Sequence, residues 1–187
     1  MGNPHPSDES LMQRFAAGEA LAFEELYRRH ELKVWRFLER SVRDRAAADD
    51  LMQDVWFTVA REAGRYRPTA KFTTWLFTLA RNRMIDWLRA ARPTVTLDDP
   101  EGPAPVEALS DPTPGPDAAA ETREQGEAIL AALEALPHVQ REAFLLQAEG
   151  QLGLEEIAGV TGASFETTKS RLRYARGRLR QLLAEYA

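Results

Sequence analysis

The sequence predicts an all-α protein built as two small helical domains joined by a proline- and acid-rich linker. Three observations carry that expectation. Apolar residues recur at helical spacing on both sides of a central stretch, with no strand-like alternation. That stretch, residues 92–118, carries Pro93, Pro100, Pro103, Pro105, Pro112, Pro114 and Pro116 among acids and has no apolar period. Cap-forming residues and glycines fall where the periodic segments begin and end. The boundaries read as 1–92 for the first domain, 93–117 for the linker and 118–187 for the second.

In chain order, Ser7-Asp8-Glu9-Ser10 offers caps for a short first helix. A second runs over about 19–42, with Phe23, Leu26, Tyr27, Val34, Phe37 and Leu38 near helical spacing. Asp44 can cap a third over about 45–63, ended by Gly64, whose core stripe is Ala48, Leu51, Met52, Val55 and Val59. The loop 65–70 contains Pro68. A fourth helix over about 71–91 stops before Pro93 and is apolar almost all round. Extended at ~3.1 Å per residue, the linker could span roughly 80 Å.

Further helices are expected over about 118–136, 137–149, 154–160 and 164–184, with Pro137 at a first helical position. The last two, separated by Thr161-Gly162-Ala163, have the pattern of a helix-turn-helix. Thr168, Leu172, Ala175, Leu179 and Leu182 form the buried seam of the final helix.

The 187 residues include no cysteine, which removes disulfides and thiolate metal sites and fits a reducing compartment. No apolar run is long enough to span a membrane, and the N-terminus has no basic-then-apolar signal pattern, so a cytoplasmic protein without membrane association is expected. His5, His30 and His138 are isolated and no glycine loop could cradle a phosphate; neither a metal, a cofactor nor enzymatic activity is expected.

The net charge of −5 argues against a nucleic-acid binder, but its distribution reverses that inference. Cations concentrate in 65–92 and 161–187, whereas 93–120 has acids and neither Lys nor Arg. Screening over roughly 8 Å makes the local patches decisive. In the first basic segment, Arg65, Tyr66, Arg67, Lys71, Phe72, Arg81, Asn82 and Arg89 combine phosphate-tracking cations with aromatic rings. Such rings stack on bases that have left a duplex. Trp75 and Trp87 are assigned instead to the core. On the last helix, Ser164 can cap, and Thr167, Lys169, Ser170, Arg173 and Tyr174 fall on the outer face near the N-terminus, where a groove-reading helix presents its contacts. The third helix turns Asp50, Gln53, Asp54 and Phe57 outward, with Asp49 and Trp56 on a flank. An acidic face around an exposed phenylalanine repels DNA and suits a protein partner.

Together these features resemble the extracytoplasmic-function (group IV) sigma factors of bacterial RNA polymerase. The resemblance covers about 11–92 and 122–184. Ala48-Asp49-Asp50-Leu51-Met52-Gln53-Asp54-Val55-Trp56 looks like the family's polymerase-docking helix. Phe72-Thr73-Thr74-Trp75-Leu76, then Ala80-Arg81-Asn82, Asp86 and Leu88-Arg89, looks like its promoter-melting segment. Leu136-Pro137, Gln140 to Phe144, Glu156-Ile157-Ala158 and Lys169-Ser170-Arg171-Leu172 look like its second DNA-binding domain. The resemblance implies a region 2 that binds the polymerase clamp and the melted minus-10 strand, and a region 4 that binds the polymerase flap and duplex minus-35 DNA. It implies core RNA polymerase and promoter DNA as partners, with an anti-sigma protein as a further one. Thr168 stands where the family usually has valine, which loosens the seam, and Tyr174 stands where an arginine is common. The rival reading is a two-domain helix-turn-helix regulator that binds duplex DNA without melting it.

Overall fold

A computed structural model describes residues 6–91 and 117–184, the side chains of 117–123 excepted. The expected linker, apart from Asp117, lies outside the described residues. Every regular element among the described residues is helical.

The first unit comprises α1 (Asp8–Ala16), α2 (Ala20–Val42), α3 (Arg45–Glu62) and α4 (Phe72–Ala91). The Ser7 hydroxyl caps α1 by accepting the Ser10 amide at 3.2 Å, and Asp44 caps α3 by accepting the Ala47 amide at 3.0 Å. Both satisfy donors that a helix start leaves without an intrahelical partner. Between α2 and α3, Arg43 turns the chain in the left-handed region at φ 58°. A single 3-10 turn, Ala63–Arg65, then follows α3 and leads into the loop before α4.

The core of this unit is Leu11 and Met12 of α1, Leu26, Val34, Phe37 and Leu38 of α2, Val55 and Val59 of α3, and Phe72, Leu76, Phe77, Ala80 and Met84 of α4. Phe37 and Phe77 meet edge to face at 5.5 Å between centroids. Each of these side chains larger than alanine contributes about 1.5–3 kcal/mol relative to exposure. Trp56, expected on a flank, is buried and packs against Phe23 and Tyr27.

The second unit comprises α5 (Asp117–Glu134), α6 (His138–Ala148), α7 (Leu154–Thr161) and α8 (Phe165–Leu182). Pro137 occupies the cap position of α6 rather than its first turn. Gly162, at φ 69°, ends α7 in the left-handed conformation that glycine adopts without strain. Ser164 caps α8 by accepting the Thr167 amide at 3.1 Å. The seam of α8 is buried at Thr168, Leu172, Ala175 and Leu179, in one core with Leu145, Leu146 and Ile157.

Within that seam the Thr168 hydroxyl is fully buried and has no hydrogen-bond partner. An unsatisfied buried hydroxyl carries its desolvation cost without compensation, whereas valine has nearly the same shape. Thr168→Val should therefore stabilise the protein by about 1–2 kcal/mol. Urea denaturation checks this; a lower midpoint for the variant would contradict it.

Candidate nucleic-acid interface

At the end of α3 the chain turns so that alternate side chains point out and in. Arg65 is exposed, Tyr66 is buried at 8%, and Arg67 is exposed again with its Nη1 donating to the Tyr66 carbonyl at 3.0 Å. A cleft of about 560 Å³ lies between this turn, the end of α3 and one side of α4. Arg61, Arg65, Arg67 and Arg83 supply its positive charge, with Glu62 between them 3.1 Å from Arg61 and 3.7 Å from Arg65; Tyr66, Trp75 and Asn82 also line it. The Tyr66 and Trp75 rings stand 5.1 Å apart. Burial, with the nearby Glu9 and Asp8 carboxylates, pushes the Tyr66 hydroxyl up to about 12, so the ring stays neutral at physiological pH. Arg83 is braced by donating to the Thr58 hydroxyl at 3.1 Å. Cations at the rim with aromatic surface behind them match what a single nucleotide offers, a phosphate and a flat ring.

The structure corrects parts of the sequence reading. Phe72 is fully buried, 5.6 Å from the His30 ring and 5.8 Å from the Trp75 ring, and offers no face to a base. Tyr66 is likewise a core residue and borders the cleft instead of projecting from the loop. Trp75, assigned to the core, is half-buried and lines the cleft. Arg61 and Arg83 were not singled out. Arg61 lies one helical turn before Arg65, which was the available signal.

Arg65, Tyr66, Arg67 and Asn82 thus share one site, whereas Lys71 and Arg81 are engaged elsewhere. Arg81 Nε bonds Glu142 Oε1 of α6 at 2.8 Å, with the Glu142 side chain 4% exposed. Lys71 Nζ lies 3.2 Å from Glu156 of α7, which also accepts from the Thr74 hydroxyl at 2.8 Å. Arg40 pairs with Glu149 at 2.5 Å, and Arg43 donates to the Glu134 carbonyl at 2.8 Å. Burial raises the Glu156 carboxyl, but the Gly153 amide and the Thr74 and Lys71 contacts outweigh it and hold the group below its ordinary value. Cations on the first unit thus meet carboxylates on the second, around an apolar core that the two units share. Arg89 is exposed, 3.9 Å from Asp86.

On α3, Asp50, Gln53 and Asp54 are exposed around Phe57, which is 67% exposed with Arg61 over its ring at 6.0 Å. Asp49 accepts the Trp35 indole N–H at 2.7 Å. On α8, Thr167, Lys169, Arg173 and Tyr174 are exposed, and Ser170 and Arg171 are half-buried. A shallow groove of about 390 Å³ there is lined by Thr167, Ser170, Arg171 and Tyr174 with Val139 and Gln140 of α6. The Ser164 hydroxyl is committed to its cap and to Thr167. Arg173 lies over the Tyr174 ring at 4.9 Å.

A helical unit with a cationic cleft followed by a helix-turn-helix unit defines a sigma-type transcription protein. Residues 26–94 match the family model for sigma-70 region 2, and 126–179 match that for sigma-70 region 4. The RNA polymerase sigma factor CarQ of Myxococcus xanthus is 38% identical over 177 residues, which cover 93% of this chain and 96% of CarQ. The ECF RNA polymerase sigma factor SigM of Mycobacterium tuberculosis is 33% identical over 184 residues, covering 97% of this chain and 87% of SigM. In fold, the chain is similar to CnrH in its complex with the cytosolic domain of CnrY, at a TM-score of 0.68 and 22% identity, covering 97% of this chain and all of that one. The chain belongs to the ECF RNA polymerase sigma factors, proteins that direct core polymerase to promoters and take part in opening them.

Removing the carboxylate of a partly buried ion pair leaves its arginine uncompensated; with Arg40 and Arg81 still 24% and 17% exposed, the cost falls below the ~3–5 kcal/mol of a fully buried pair. Glu142→Gln with Glu149→Gln should therefore loosen the join between the two units without unfolding either. Small-angle scattering of the double variant should show a larger radius of gyration than the parent, and an unchanged profile would contradict the charge-held arrangement.

Proposed function

We propose that the cleft beside the turn at 65–67 receives an unpaired base of the minus-10 strand, with Arg61, Arg65, Arg67 and Arg83 holding the flanking phosphates and Asn82 at its edge. The observation that carries this reading is the coincidence in one cleft of two aromatic walls and four arginines, which outnumber the single lining carboxylate, Glu62. A duplex reader needs the cations but gains nothing from a ring-lined recess beside them. Aromatic surface becomes useful once a base has left the stack.

The exposed face of α3, with Asp49, Asp50, Gln53, Asp54 and Phe57, docks on core RNA polymerase, while α8 enters the major groove of the minus-35 element. There Lys169, Arg171 and Arg173 meet phosphates or base edges, and Thr167, Ser170 and Tyr174 line the approach. Arg89 contributes a phosphate contact at the far end of α4. Lys71 and Arg81 join the nucleic-acid surface only when they exchange Glu156 and Glu142 for phosphate. The division into 1–92, 93–117 and 118–187 follows from the same reading. Family membership supports work in the cytoplasm, without catalysis by the chain itself, and control by an anti-sigma protein.

Magnitudes explain the dependence on polymerase. Opening roughly ten base-pair steps costs on the order of 14 kcal/mol at about 1.4 each. Stacking returns about 1–3 kcal/mol per captured base. Contacts outside this chain must cover the difference, so docking belongs to the mechanism.

Two variants test the reading. Asp50→Arg with Asp54→Arg should abolish association with core polymerase in a pull-down while leaving helical circular dichroism unchanged. Arg65→Ala with Arg67→Ala should preserve association but reduce permanganate reactivity of minus-10 thymines on duplex promoter. A normal bubble with the second variant would refute the strand-holding role and favour the plain helix-turn-helix regulator.

A further inference from the structure

The loop that precedes α4 ends at Lys71, whose side chain offers donors and no acceptor, so it cannot cap the helix it introduces. The missing acceptor comes from a distant part of the chain. The Phe72 amide donates to Glu9 Oε1 at 2.8 Å, across a separation of 63 residues. Glu9 lies in the first turn of α1, and α1 falls before the 26–94 segment that matches region 2.

Its neighbours hold Glu9 in place. Asp8 bonds His30 Nε2 at 2.7 Å and Arg29 Nη1 at 2.8 Å, pinning the tip of α1 to α2. Leu11 and Met12, on the next turn, are buried in the core. The first turn of α1 therefore forms a fixed backstop. Phe72 leans on it through the capped amide, Tyr66 packs on Phe72 at 6.2 Å, and Trp75 packs on both rings. The loop 66–71 runs between Tyr66, on the cleft wall, and Phe72, on the cap.

We propose that Glu9 is a positioning residue for strand capture: its carboxylate caps α4 from α1 and so sets the start of that helix and the spacing of Tyr66 and Trp75 that shapes the cleft. Glu9 itself does not touch nucleic acid. The inference rests on the cleft being the site of the unpaired base. An anion at a helix start also suits the positive end of the helix dipole, so the carboxylate serves twice. The amide of glutamine would keep the acceptor and lose only the charge; alanine would lose both.

The test uses full-length chain with core polymerase on a duplex promoter. Glu9→Ala should bind core as the parent does, raise amide exchange across 66–72, and slow promoter opening by permanganate several-fold, roughly 5-fold for the loss of one cap. Glu9→Gln should recover opening to within about 2-fold of the parent, because the acceptor remains. Parental opening by Glu9→Ala, or unchanged exchange across 66–72, would overturn the proposal. Equal impairment of Glu9→Ala and Glu9→Gln, with equally lowered melting temperatures, would also overturn it by reducing Glu9 to a stability residue. A normal bubble with Arg65→Ala and Arg67→Ala in the same assay would instead refute the cleft assignment, so the two failures are distinguishable.

Discussion

The arrangement depends on α4 being packed from more than one direction. One side supplies Phe72, Leu76, Phe77, Ala80 and Met84 to the core of the first unit. Another carries Arg81 and Thr74 into contact with α6 and α7. A third borders the cleft with Trp75, Asn82 and Arg83. A helix so surrounded cannot shift without disturbing a core, an inter-unit contact and a binding site together. That is why its first amide being fixed by Glu9, and its middle by Phe37 against Phe77, has consequences for the cleft.

Ion pairs and one continuous apolar core hold the units together, and one cation there is poorly served. Arg141 is buried with its Nε and Nη1 lacking partners, and burial together with nearby Arg43 lowers its pKa to about 10, against a smaller opposing influence of Glu134. A buried charge in that condition subtracts from the stability of the joined arrangement. Meanwhile Asp50, Asp54 and Phe57 stay exposed on α3 while the units are together. Under the proposed function, polymerase can engage that face first, and DNA phosphates then replace Glu142 and Glu156 opposite Arg81 and Lys71. Carboxylate and phosphate compete for the same guanidinium by the same charge-assisted bonding.

Much of the fold was legible because its signals are local. Ser7, Asp44 and Ser164 announce helix starts within three residues of the amides they cap, and Gly162 marks an end through its own backbone. The α3 stripe and the α8 seam follow simple periodicity and are buried as expected, except Leu182 at the end of the seam, which is half-buried. The site was less legible because its errors concern distant partners. Phe72 sits among cations in sequence, but His30 and Trp75 enclose it in space. Arg81 looks free until Glu142, 61 residues later, is brought against it. The near-uniform apolarity of α4 was the one sequence trace of these facts, since a helix packed on several sides loses a clean polar face.

The central claim is that the outer side of α4 faces the second unit in the free chain and promoter DNA in the initiation complex. A photo-crosslinking residue placed at Arg81 tests it directly. In the free chain the cross-link should map to the α6 peptide containing Glu142; with core polymerase on an open promoter it should move to the DNA strand. A cross-link that stays in α6 when the promoter is open would contradict the account.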